Sequence, residues 1–94
     1  MAYLITHFYE GGNAEQYEAE MAAVHPPAGL PAGQVYHAAG PCDGGWLIVA
    51  VWDSKASCDR FVTEILLPTL PTVKGGFAGP PKEVASEVAY LVTA

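Results

Sequence analysis

Fixed positive charge is scarce in this chain: Lys55, Arg60, Lys74 and Lys82 stand against ten acidic residues, for a net charge of −6 over 94 residues. A phosphate backbone finds no basic stripe to release its counterions to, so nucleic acid is not an expected partner. No apolar run approaches the roughly 20 residues of a membrane-spanning helix, and the opening AYLITHFY has neither the basic segment nor the cleavage site of a secretion signal. The expectation is a cytoplasmic protein with no membrane association. Cysteine is limited to Cys42 and Cys58, which read as two reduced thiols, the first in a turn and the second packed on a helix. There is no Ser-His-Asp order, phosphate loop, dinucleotide fingerprint or metal-ligand spacing. The run Gly75-Gly76-Phe77-Ala78-Gly79 follows a helix rather than a strand, so it reads as a flexible lid or a plain connector.

What the chain does have is apolar surface to hide. Its hydrophobic fraction is 51% and its charged fraction 15%, in a chain that buries only about 60–65% of its unfolded surface and has material for one core. One domain over residues 1–94 is expected, with an oligomer interface or an apolar pocket to take up the excess.

The stretch 44–70, GGWLIVAVWDSKASCDRFVTEILLPTL, organises the rest. Trp46 to Trp52 is an unbroken apolar run, the mark of a central strand buried on both faces. Asp53 or Ser54 caps a helix on which Cys58, Phe61, Val62, Ile65 and Leu66 fall at helical spacing, and Pro68 and Pro71 set its end. Before it, Ala2 to Tyr9 alternates as a strand, with Tyr3, Ile5, His7 and Tyr9 on one side and Leu4, Thr6 and Phe8 on the other. Asn13 and Gln16 form a capping box for a helix that lines up Ala14, Tyr17, Met21 and Val24 and leaves Glu15, Glu18 and Glu20 to solvent. His25-Pro26-Pro27 ends that helix, and residues 25–33 are a loop. Gln34 to Ala39 is a short strand with Val35 and His37 on one side and Gln34, Tyr36 and Ala38 on the other, followed by a turn at Pro41 to Gly45. Residues 74–82 are an irregular connection. Val84 to Thr93 returns to strand character.

The order strand, helix, strand, strand, helix, strand predicts an α+β, ferredoxin-like βαββαβ fold: a four-stranded antiparallel sheet with two helices on one face. The other face, carrying Leu47, Val49 and Val51, is also apolar. A second copy of the sheet packed across a two-fold axis would bury it, so a homodimer is expected.

With Gly45-Trp46, Val51-Trp52-Asp53-Ser54, Phe61, Leu67-Pro68-x-Leu70 and the strand leading to His37 laid out, the chain resembles the dimeric α/β-barrel superfamily. Within it, the resemblance is to small proteins related to antibiotic-biosynthesis monooxygenases. It covers about the middle half of the chain and implies fold more strongly than reaction. Among the activities it implies is a cofactor-independent monooxygenase, or related small oxidoreductase, acting on a quinol-like aromatic. The alternative is a non-catalytic small-molecule-binding or interaction domain on the same fold. Haem-degrading members use a histidine on the second helix as the iron ligand, and residues 54–70 contain none. No cofactor is expected.

His37 is the candidate catalytic group, a titratable side chain beside Trp46 and Trp52 where a neutral imidazole takes a proton from a phenol. Trp46 and Trp52 share a strand face with small Ala50 between them, which leaves a gap for a flat ligand. Trp46, Trp52, Tyr36, Phe61 and His7 are the candidate substrate-binding residues, with the 74–82 connection near the wall. Core packing is the competing reading for the tryptophans and for His7. His25 reads as an ordinary helix-end residue.

Overall fold

The computed structural model describes all residues from Met1 to Ala94. Its elements are β1 (Tyr3–Glu10), α1 (Ala14–Val24), β2 (Gln34–Cys42), β3 (Gly45–Trp52), α2 (Lys55–Phe61) and β4 (Lys82–Glu87), with α2 running on through a π-helical turn, Val62–Leu66. The strands form one antiparallel sheet in the order β2-β3-β1-β4, which puts β3 and β1 at its centre. This is the ferredoxin-like order that the alternation of elements predicts.

Both helices begin where the sequence places their caps. Asn13 accepts from Gln16 N at 2.9 Å while Gln16 Oε1 accepts from Asn13 N at 3.1 Å, a complete capping box. At α2 the cap is Ser54, whose Oγ accepts from Ser57 N at 3.1 Å. The π turn sits just before Pro68, whose ring crowds the carbonyl four residues back and which has no N–H to give. Leu67 N–H reaches instead to Val62 O. Within this turn Ile65 is 40% exposed.

Strand register sorts the side chains by face. Tyr3, Ile5, His7 and Tyr9 of β1 lie opposite Trp52, Ala50, Ile48 and Trp46 of β3, and this face packs under the helices. Ile5, Ala50, Trp52 and Cys58 form the core, with Tyr3, Phe61 and Val62 against it. Leu4, Phe8, Leu47, Val49 and Val51 share the opposite face, which no helix of the chain covers.

Three expectations change. β2 does not stop at Ala39: it pairs with β3 as far as Cys42, and the hairpin turn contracts to Asp43-Gly44, with Gly44 at φ 84° where a side chain would be strained. A bulge at Val35 shifts β2, because Gln34 opposes Trp52 and Tyr36 opposes Val51. Gln34 therefore joins His37 on the helix-side face, against the simple alternation. β4 ends at Glu87 rather than Thr93, since Glu87 already faces Tyr3 at the start of β1 and only Val88 N–H finds a further partner, Ala2 O at 2.9 Å. No helix is long and apolar enough to cross a membrane.

Candidate functional site

A cleft runs between the helix-side face of the sheet and the helices. Its inner part, about 60 Å³, is bounded below by Ile5, Ile48, Ala50 and Trp52 and above by Met21, Val24, Phe61, Val62 and Leu66. It continues into a vestibule of about 460 Å³ walled by Leu67, Leu70, Phe77, Pro80 and Pro81. His7, Tyr9, Glu20, Val62 and Leu66 border both parts. An apolar cavity that holds benzene measures roughly 150 Å³, so the inner part alone does not take a ring. A ring fits the vestibule, with a substituent reaching inward.

At the β2 end of the inner cavity stands His37. Its Nδ1 lies 2.8 Å from Gln34 Oε1, an acceptor, so Nδ1 carries the proton and donates it. Nε2 is then the basic nitrogen, and the Tyr17 hydroxyl donates to it at 2.6 Å. The His25 ring meets His37 edge-on with centroids 4.9 Å apart. Burial lowers the His37 pKa, and the neighbouring His25 lowers it further. Burial lowers that of His25 as well. Both imidazoles are therefore neutral near pH 7, and burial raises the Tyr17 phenol so that it remains a donor.

The β1 end is acidic. His7 Nε2 pairs with Glu83 Oε1 at 2.8 Å. Glu20, from α1, is buried, and its Oε1 accepts from Phe77 N–H at 3.1 Å. Burial raises the Glu20 pKa against the opposing effects of that hydrogen bond and of His7. The Phe77 ring stacks on Tyr9 at 3.7 Å, nearly parallel. Tyr9 is pushed up to about 12 by burial, then by Glu20 and Glu83. Gly76 admits this close approach, since a Cβ there would meet Glu20 Cγ and Oε1 at 3.0 Å. The 73–81 connection is thus fastened over the vestibule by Glu20 and Tyr9.

Of the residues singled out from sequence, His37, His7, Trp52 and Phe61 border the inner cavity. Trp46 does not: its ring lies 5.3 Å from that of Tyr17, and on the sheet it is flanked by Tyr9 and Pro41. Tyr36 stands on the opposite sheet face, facing Val51 and 49% exposed, where alternation from its neighbour His37 puts it. The Nε1–H groups of both tryptophans are buried without an acceptor in the chain. Cys58 borders the cavity as a thiol, its pKa pushed up to about 11 chiefly by burial. No group of three or more His, Cys, Asp or Glu side chains is placed to hold a metal ion.

Sequence reasoning missed Tyr17 as the partner of His37, and it missed Gln34, His25 and Glu20. Glu20 was assigned to solvent, yet it lies three residues after Tyr17 and four before Val24 on one helix face, and it is 6% exposed. That spacing was the available signal. Gln34 had none, since its placement depends on the bulge.

The sequence matches no protein-family model and no curated protein. Solved structures do match. A protein assigned as an antibiotic biosynthesis monooxygenase from Chloroflexus aurantiacus superposes with a TM-score of 0.69 at 9% identity, over 99% of this chain and 98% of that one. SnoaB, a cofactor-independent oxygenase from Streptomyces nogalater, gives 0.64 at 15% identity over 99% and 97%. A Streptomyces coelicolor monooxygenase solved with nanaomycin D gives 0.55 at 20% identity over 99% and 91%. At these identities the likeness is one of architecture. This chain has the ferredoxin-like fold of the antibiotic-biosynthesis-monooxygenase type of protein, as the resemblance in its sequence implied.

Proposed function

We propose that this protein is a cofactor-independent monooxygenase, or a related small oxidoreductase, acting on a quinol-like aromatic. The observation that carries the reading is His37: a neutral imidazole in the cleft wall, its tautomer set by Gln34 so that Nε2 is the basic nitrogen. The quinol ring lies in the vestibule and directs a hydroxyl inward, where it displaces the Tyr17 hydroxyl from Nε2 and gives up its proton. The resulting phenolate is the electron source for oxygen. A quinol that is both hydroxylated and oxidised to a hydroxyquinone supplies all four electrons, so one oxygen atom enters the ring and the other leaves as water. Trp52 Nε1–H, without an acceptor in the chain, offers a hydrogen bond to a ring oxygen.

Likeness in fold to a cofactor-independent oxygenase supports the same reading. Incubation with a panel of dihydroxyaromatics should give oxygen consumption that saturates with substrate. Saturable binding without turnover favours the second reading, a non-catalytic binding domain. That reading draws on one observation, that His37 Nε2 is already occupied by Tyr17.

The functional unit is a homodimer. Leu4, Phe8, Leu47, Val49 and Val51 form an apolar sheet face with no helix over it, on which Val51 is buried but Leu47 remains 36% exposed, and a second copy of the same face covers it.

A further inference from the structure

We infer that Glu20 is a recognition residue of the cleft, accepting a hydrogen bond from a hydroxyl of the aromatic ligand at the junction of the vestibule and the inner cavity. The inference rests on the reading of this cleft as a site for hydroxylated aromatics, and it names what selects them.

Glu20 borders both parts of the cleft. The residue is buried, 6% exposed, and burial is costly for a charge without compensation. Compensation is slight. Oε1 takes the Phe77 amide, Oε2 has no hydrogen bond within the chain, and no lysine or arginine pairs with either oxygen. His7 is close enough to influence Glu20 but is itself engaged by Glu83. If the side chain served only to fasten the Phe77 amide, a glutamine would do so without burying a charge.

Position supplies the second argument. His7 on β1 and His37 on β2 flank β3 in the sheet order, and because they oppose Ile48 and Ala50 they are staggered by two residues, about 12 Å apart across the two strand spacings. Glu20 lies by the first and Tyr17 by the second, with Ile48 and Ala50 as the floor between them. A ring seated in the vestibule beside Glu20, with one hydroxyl directed inward over β3, meets the acceptor at one end and the base at the other. Rings with hydroxyls at both ends fit; rings whose oxygens are alkylated leave Oε2 unpaired, and charge-assisted hydrogen bonds of this kind are the strong ones.

The test is anaerobic equilibrium binding of 1,4-dihydroxynaphthalene and 1,4-dimethoxynaphthalene, read by quenching of tryptophan fluorescence. The wild-type protein should bind the dihydroxy compound about tenfold to hundredfold more tightly. Glu20→Gln, which keeps volume and the Phe77 contact, should lose most of that preference while holding its affinity for the dimethoxy compound within about twofold. An undiminished preference in Glu20→Gln overturns the inference, as does wild-type protein that binds both compounds equally or neither. Should the variant fold poorly, the wild-type pair of affinities decides. Glu20-dependent binding without oxygen consumption in air defeats the monooxygenase reading and leaves this inference standing. Turnover with a preference indifferent to Glu20→Gln does the reverse.

Discussion

The Tyr17 hydroxyl lies 2.6 Å from His37 Nε2 and fills the one ring nitrogen able to accept a proton. Because this hydrogen bond is made to the neutral imidazole, it helps to hold His37 unprotonated alongside burial and His25. Tyr17→Phe removes the donor and leaves the ring contacts. An NMR titration should then find the His37 pKa higher than in the wild-type protein; an unchanged or lower value would show that Tyr17 plays no part in its protonation.

His37→Gln keeps a hydrogen-bonding side chain that cannot take a proton near neutrality. Turnover of a dihydroxyaromatic should fall by about 10²–10⁴-fold, with the thermal midpoint close to that of the wild-type protein. Full activity in this variant would reduce His37 to a positioning group, and loss of fold would make it structural.

Stability should decline in mild acid. His25 and His37 both have folded-state pKa values below the ordinary 6.5, so between those lowered values and 6.5 the unfolded chain binds more protons than the folded one. Stability therefore rises with pH across that window and is fully present above it. Glu20, with its pKa raised above 4.5, acts in the opposite sense at lower pH. Urea midpoints measured from pH 7.5 downward should fall as pH passes below about 6.5, the unperturbed histidine value. His37→Gln should flatten the slope.

Trp52 is the most buried side chain of the core, 2% exposed and packed on Phe61 with ring centroids 5.2 Å apart. Trp52→Ala should cost about 3–5 kcal/mol by urea denaturation, a large share of what a domain of this size has to lose. A cost below about 1 kcal/mol would mean that the cavity closes over the deletion.

The apolar sheet face without a helix over it predicts a dimer by sedimentation at micromolar concentration. Leu47→Lys, placed at its centre strand, should yield monomers with an intact far-ultraviolet spectrum. A wild-type monomer would remove the basis for the two-fold assembly.

The central hairpin, the two capped helices and the face assignment of β1 and β3 were legible because each rests on local rules: an apolar run, a capping pair, a period of two. The end of β4 was not. Val88, Tyr90 and Val92 have strand character, but a strand needs a partner, and β1 begins at Tyr3. Tyr90 and Val92 are each 91% exposed, the composition of a segment that gains burial only against something outside the single chain. The site was half legible for a similar reason. His37 and His7 could be placed by alternation, whereas Glu20 required weighing a charge against its helical position, and Tyr17 met His37 only through tertiary packing.

The bulge at Val35 ties the protonation chemistry of His37 to the pairing of a strand rather than to the identity of any residue. Were Val35 to take an ordinary place in the ladder instead of bulging, strict alternation back from His37 would turn Gln34 to the outer face, while β3 kept the rest of its ladder. Nδ1 would lose its acceptor, and neither tautomer would be specified. A change in pairing alone, with every side chain of the cleft retained, would thus convert a poised imidazole into an indifferent one.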